Sequence, residues 1–117
     1  MGKLSTHVLD TMHGVPASDV LIELYAVDGN SRSLKASVRS NADGRCPGPL
    51  LEGEALQRGT YELVFHAGDY FAARGVALPE PRFVDKVSVC FGIAQADENY
   101  HVPLLVSPWA WSTYRGS

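Results

Sequence analysis

Apolar and polar residues alternate along this chain in short stretches that turn residues separate. A period of two is typical of β-strands with one buried face. In the stretch 4–10, Ser5, His7 and Leu9 share one face. Pairs such as Asp43-Gly44 tolerate positive φ and mark turns between the stretches. The pattern predicts strands at 4–10, 20–27, 33–40, 60–67, 83–92, 99–106 and 109–114, with a short edge strand at 48–51.

One segment breaks this pattern, and it predicts a helix of one or two turns over 70–74. Asp69 is the expected N-cap and Gly75 the expected C-terminal stop. Pro103 lies inside a predicted strand, where its missing N–H favours an edge position or a bulge. Seven or eight short strands with one short helix predict an all-β sandwich that forms one domain over residues 1–117.

Composition and charge exclude several classes of protein. The 117 residues carry a formal net charge of -3, which argues against a surface for nucleic acid. No apolar stretch has the length of a membrane span, and strand-like sequence follows Lys3 where a signal peptide would have its apolar region. We therefore expect a cytoplasmic protein. Cys46 and Cys90 do not form a CxxC pair, so we expect free thiols.

The chain contains no complete motif for catalysis, only dispersed histidine and arginine residues. His13 and His66 fit surface or packing roles. His7 and His101 lie in extended segments beside apolar neighbours, and spacing alone favours half-buried, hydrogen-bonded histidines. Arg45 leaves a turn, where an arginine is ordinarily solvated. No metal-ligand cluster, phosphate-binding glycine loop or serine nucleophile elbow is present, so neither a metal nor a cofactor is expected.

Six segments that together span essentially the whole chain carry a resemblance to a known family. They are Leu-Ser-Thr-His-Val-Leu-Asp at 4–10, Gly-Val-Pro-Ala at 14–17, Asn-Ala-Asp-Gly-Arg at 41–45, 61–65, Tyr-His-Val-Pro-Leu-Leu at 100–105 and 112–117. Together these segments resemble the transthyretin-like family. The Tyr-Arg-Gly-Ser sequence at 114–117 is similar to that of the enzymatic branch, the 5-hydroxyisourate hydrolases. One departure is Trp-Ala-Trp at 109–111, where the family commonly has Tyr-Ser-Tyr.

This resemblance implies a sandwich of two four-stranded sheets, assembled as a homotetramer (a dimer of dimers) around a central channel that holds the active site. It implies that 5-hydroxyisourate is hydrolysed in urate degradation without a metal. The alternative is a carrier that binds a small aromatic ligand in the same channel. The catalytic residues it implies are His7, Arg45 and His101, and the substrate-binding residues are Tyr114, Arg115, Gly116 and Ser117.

The implied chemistry needs a base for water and a partner for the developing oxyanion. We expect His7 and His101 to form a hydrogen-bonded pair in which one imidazole activates water and the other orients it. Arg45 would hold the substrate and the negative charge. The sequence leaves open which histidine is the base.

Overall fold

Two four-stranded sheets and one three-stranded sheet dominate the protein, which the computed structural model describes over residues 1–117. Their strand orders are β11-β10-β2-β3, β5-β4-β7-β8 and β6-β1-β9. This confirms the mostly β fold with one short helix, and it adds a sheet to the expected two. The elements are β1 Lys3–Ser5, β2 Val8–Asp10, β3 Val15–Pro16, β4 Leu21–Asp28, β5 Ser31–Arg39, β6 Leu51–Glu52, a 3-10 turn Gly53–Ala55, β7 Gly59–His66, α1 Ala67–Ala73, β8 Lys86–Ile93, β9 Tyr100–His101, β10 Leu104–Val106 and β11 Trp111–Thr113.

The antiparallel sheet of β4, β5, β7 and β8 supplies much of the core. Alternate residues of β4 and β7 are fully buried, including Ile22, Leu24, Leu63 and Phe65. Ile22 lies opposite Phe65 and Leu24 opposite Leu63, so the buried residues meet on one face. Burial of each such side chain contributes about 1.5–3 kcal/mol to stability. The strong alternation in this part of the sequence therefore predicted its strands well.

The stretches 4–10 and 99–106 are each interrupted, which corrects the two continuous strands that the sequence predicted. The interruptions lie side by side, because β1 runs parallel to β9 and β2 runs parallel to β10. At the interruption Thr6 Oγ1 donates a hydrogen bond to the carbonyl of Val102 at 2.7 Å. Pro103 follows directly and has no N–H to offer the ladder. The first strand therefore passes from one sheet into another.

Helix α1 begins earlier than the sequence predicted. His66 precedes its first residue and makes no side-chain cap, whereas Asp69 lies in the first turn and accepts a hydrogen bond from Arg82 at 2.7 Å. The assignment of Asp69 as N-cap is therefore wrong. Gly75 has a φ of 81° and ends the helix as predicted. No helix of this protein combines the length and apolar character needed to cross a membrane.

A buried carboxylate, which no sequence motif indicates, joins the sheet of β2 to α1. Asp10 is 1% exposed, and its Oδ2 accepts hydrogen bonds from Tyr70 at 2.8 Å and from His13 Nδ1 at 2.6 Å. Burial alone would raise the pKa of Asp10, but the hydrogen bonds from His13 and Tyr70 lower it overall. His13 thus has a structural partner, as does His66, whose Nε2 lies 2.8 Å from Glu23.

Candidate active site

A turn at residues 41–45 positions Arg45 beside the first strand. Asn41 Oδ1 accepts hydrogen bonds from the backbone N–H of Asp43 at 3.0 Å and of Arg45 at 3.1 Å. Gly44 has a φ of 75°, and a Cβ there would collide with the carbonyl of Val8. Only glycine fits this position without strain. The turn therefore sets the place of the exposed Arg45 side chain, which has no ion-pair partner in the chain.

His7 lies directly against this turn. It forms an isolated antiparallel bridge with Arg45, and its Nε2 lies 2.8 Å from the carbonyl oxygen of Asp43. A carbonyl can only accept a hydrogen bond, so Nε2 carries the hydrogen. In the neutral ring Nδ1 is then unprotonated, and it has no hydrogen-bond partner within the chain. His7 can therefore act as a proton acceptor through Nδ1.

His101 is held from both sides. Its Nδ1 lies 2.9 Å from Ser5 Oγ, on the parallel strand β1. On the other side it exchanges backbone hydrogen bonds with Gly116, at 2.7 and 3.3 Å. A Cβ at Gly116 would lie 3.1 Å from the Cβ of His101 and 3.3 Å from its Cδ2. Residue 116 must be small for the ring to keep this place.

The surroundings of His101 favour its neutral form. Burial, the positive charge of Arg45 and the proximity of His7 lower the pKa of His101 below its ordinary value. No hydrogen bond joins the two rings, so the predicted hydrogen-bonded pair is not observed, and each ring uses one nitrogen for a different partner. They nevertheless influence one another electrostatically, together with Arg45.

A cavity of about 290 Å³ opens beside Arg45. No acidic side chain lines it, whereas two cationic side chains do, so it suits a polar ligand with negative charge. The residues that define its chemistry are Lys3, Ser5, Arg45, Cys46, Asn99 and Ser117.

Sequence reasoning missed four of these residues: Lys3, Ser5, Cys46 and Asn99. Strand alternation was the available signal for two of them, since Lys3 and Ser5 share the face of His7. Burial raises the pKa of the Cys46 thiol to about 11, so it stays protonated at neutral pH and is a poor nucleophile. No group of three or more His, Cys, Asp or Glu side chains is placed to hold a metal ion.

The segment 114–117 is divided between two environments. Gly116 contacts His101, and Ser117 lines the cavity. The Tyr114 side chain is 60% exposed. Arg115 instead donates to Glu98 Oε1 at 3.2 Å and to the Asn99 carbonyl at 2.9 Å. Its guanidinium lies over the Tyr100 ring. Within one chain, only Gly116 and Ser117 of this segment join the residues around Arg45.

A β-sandwich that brings His101 of β9 and His7, in the interruption between β1 and β2, within electrostatic reach of Arg45 defines a transthyretin-like protein with a polar site. The chain belongs to the HIUase/Transthyretin family, whose model matches residues 4–116. Its curated relatives include the 5-hydroxyisourate hydrolase of Ralstonia nicotianae, which is 59% identical over 117 residues and covered completely in both chains. The 5-hydroxyisourate hydrolase of Pseudomonas aeruginosa is 58% identical over 100% of this chain and 93% of its own.

Solved structures of both branches of the family match this fold. The 5-hydroxyisourate hydrolase of Klebsiella pneumoniae has a TM-score of 0.83 and 33% identity, with 100% of both chains covered. Sea bream transthyretin, solved in complex with thyroxine, has a TM-score of 0.86 over 97% of this chain and 94% of its own. The latter is only 22% identical and therefore shows the shared fold alone.

Proposed function

We propose that this protein hydrolyses 5-hydroxyisourate to 2-oxo-4-hydroxy-4-carboxy-5-ureidoimidazoline, a step of urate degradation. The observation that carries the proposal is the meeting of His7, His101 and Arg45 from three distant parts of the chain. Relatives of 58% and 59% identity bear the name of this activity and support the same substrate.

The reaction needs water to attack a ring carbonyl and the adjacent C–N bond to break. A neutral imidazole takes a proton from water as the oxygen adds to the carbonyl carbon, which leaves a tetrahedral oxyanion. Collapse of this intermediate expels the ring nitrogen, and the same imidazolium returns its proton to that nitrogen. The products are a carboxylic acid and a free N–H, and the acid then releases its proton to solvent to become a carboxylate. Such general base help contributes about 10²–10⁴-fold.

Arg45 is the group that suits the developing negative charge. Its guanidinium is charged at every working pH, and no carboxylate of the chain neutralises it. Loss of one donor to an oxyanion typically costs about 10²–10³-fold in kcat. The same charge lowers the pKa of His101, after burial as the first cause, and so keeps that imidazole neutral.

Substrate binding in this proposal involves the segment 114–117. Ser117 lines the cavity with its hydroxyl available, and Gly116 leaves room for the His101 ring. Tyr114 would narrow the entrance of the channel. Arg115 would act through the contacts of its side chain with Glu98, which anchor the segment.

We also propose a homotetramer, a dimer of dimers, in which facing cavities form a central channel. Edge strand β11 leaves hydrogen-bonding groups unpaired, and Trp111 on it is 45% exposed. Exposed aromatic residues beside an open sheet edge are suited to pairing between copies. Light scattering at micromolar protein should give four times the chain mass of 12.7 kDa. A monomer with full activity would contradict this assembly.

A carrier of small aromatic ligands is the competing function, because sea bream transthyretin in complex with thyroxine shares the fold. The cavity here suits that role less, since one hydrophobic residue is among the nine that line it. The free thiols of Cys46 and Cys90 support the cytoplasm as the working compartment.

The decisive experiment mixes purified protein with freshly prepared 5-hydroxyisourate and follows the decay of its ultraviolet absorption. We expect decay much faster than in buffer, with a rate proportional to protein concentration. His66→Asn is the matched control for His101→Asn, because His66 pairs with Glu23, whereas the charge of Arg45 acts on His101. Decay no faster than in buffer, with the substrate bound and unchanged, would instead favour a carrier.

A further inference from the structure

The Ser5 hydroxyl makes a single hydrogen bond in the chain, and this bond goes to the His101 ring. The distance from Ser5 Oγ to His101 Nδ1 is 2.9 Å, and the contact is partly buried. The backbones of the same two segments are also tied, since Val102 N–H donates to the Ser5 carbonyl at 2.9 Å. Ser5 is therefore fixed relative to His101 by main chain and side chain together.

The direction of this hydrogen bond follows from the partners available. A hydroxyl carries one hydrogen, and Ser5 Oγ has no other acceptor in the chain. Donation to Nδ1 satisfies that hydrogen within the protein. Because the His101 ring is neutral near pH 7, its own hydrogen must then reside on Nε2. Nε2 has no partner in the chain and is not buried, so it is free to contact a ligand.

We propose that Ser5 is a positioning residue that fixes His101 as the tautomer with hydrogen on Nε2, so that His101 donates a hydrogen bond to the carbonyl oxygen of the substrate. This inference rests on the proposed hydrolysis and adds a role to its site. His101 keeps its hydrogen throughout, so it acts as a neutral donor and not as a proton source.

The two histidines then offer opposite hydrogen-bonding groups to a ligand, one an acceptor and the other a donor. His7 donates Nε2–H to the Asp43 carbonyl and keeps Nδ1 as an acceptor, whereas His101 accepts at Nδ1 and keeps Nε2–H as a donor. His7 is thus the base that takes the proton from water and returns it to the departing ring nitrogen. His101 and Arg45 share the oxyanion. Depression of the pKa of His101 suits a ring that must stay neutral while it donates.

The first test compares Ser5→Thr with Ser5→Val, two side chains of the same shape that differ in the hydroxyl. We expect Thr to keep kcat within about twofold and Val to lower it about tenfold, the loss of one hydrogen bond of about 1.4 kcal/mol. KM should change little in both. Ser37→Val is the control, because Ser37 is exposed on β5. Equal kcat for the Thr and Val variants would overturn the proposal.

The second test does not use activity. Long-range ¹H–¹⁵N NMR spectra of the wild-type protein, labelled at histidine, distinguish the two neutral tautomers of His101. We expect hydrogen on Nε2 in the wild type and in Ser5→Thr, and a mixture of tautomers in Ser5→Val. A wild-type ring with hydrogen on Nδ1 would overturn the proposal, even if Ser5→Val failed to fold. A wild type that does not hydrolyse 5-hydroxyisourate would refute the proposed function while this spectrum still tested the tautomer.

Discussion

Gly116 and His101 exchange both backbone hydrogen bonds of an antiparallel bridge, and the histidine ring lies against the glycine Cα. A methyl group at position 116 would press on the Cβ and Cδ2 of His101. We expect Gly116→Ala to lower kcat by roughly tenfold, because the ring must move by a few tenths of an ångström and a displacement near 1 Å can cost about 10²-fold. Gly92→Ala is the matched control, since a Cβ there meets no atom within 4 Å. Unchanged kcat in Gly116→Ala would show that the ring tolerates displacement.

The three central residues should each be indispensable. We expect His7→Asn, Arg45→Ala and His101→Asn to lower kcat/KM by about 10²–10⁴-fold, because each removes a proton acceptor, a fixed charge or a donor. Circular dichroism and light scattering would check that fold and oligomer remain intact. His66→Asn is again the control and should retain normal turnover. Near-normal turnover of any of the three folded variants would remove that residue from the mechanism.

The charge of Arg45 should have a measurable effect on the pKa of His101. Burial is the first cause of the lowered pKa of His101, and Arg45 is the second. Arg45→Gln removes one of these causes, so we expect the pKa of His101 to rise in an NMR titration. Arg58→Gln serves as the control, since Arg58 lines a different cavity. An unchanged titration curve in Arg45→Gln would mean that burial alone determines the shift.

Asp10 should make the free energy of unfolding depend on pH in the acid range. Its pKa is lowered in the folded protein, so its contribution is complete above the ordinary value of about 3.9 and is lost as pH falls through the lower, folded value. Asp10→Asn should cost about 1–3 kcal/mol at pH 7, because an amide N–H would then face donors from His13 and Tyr70.

Urea unfolding of Asp10→Asn at several pH values is the measurement. The difference in unfolding free energy from wild type should shrink below about pH 4, where Asp10 begins to bind a proton in the unfolded chain, and further as the pH falls through the lower, folded pKa. Asp97→Asn is the control, because Asp97 is exposed. A difference that stayed constant down to pH 2 would show that the charge of Asp10 contributes nothing.

Cys46 should prove dispensable for chemistry, although it lines the cavity. Burial raises its pKa to about 11, so little thiolate exists at neutral pH. We expect Cys46→Ser to retain turnover within a few-fold, as should Cys90→Ser. A folded but inactive Cys46→Ser variant would reopen nucleophilic catalysis by a thiol.

Much of the fold could be predicted from the sequence, because it depends on local alternation. The predicted strand at 60–67 corresponds to β7, observed at Gly59–His66, and its alternate residues Tyr61, Leu63 and Phe65 are buried. The interruption at Thr6 could not be predicted in this way. It depends on a hydrogen bond to Val102, whose position relative to Thr6 only the folded chain reveals.

The site could be predicted only in part, because it too depends on contacts between residues that are distant along the chain. His7, Arg45 and His101 were assigned through resemblance to a family, and the structure brings them into mutual influence. Ser5 carries no motif of its own, since a serine in a strand is ordinary. Its importance appears only when the parallel pairing of β1 with β9 places it opposite His101.

That parallel pairing also determines when the site can assemble. Ser5 and His101 are 96 residues apart along the chain, so closing this contact orders nearly the whole polypeptide. Antiparallel neighbours such as β4 and β5 need only a short loop and can form earlier in refolding. We therefore expect β-sheet signals to recover before enzymatic turnover does. Regained turnover would then report the last stage of folding, and nascent or partly refolded chains would be inert toward the substrate.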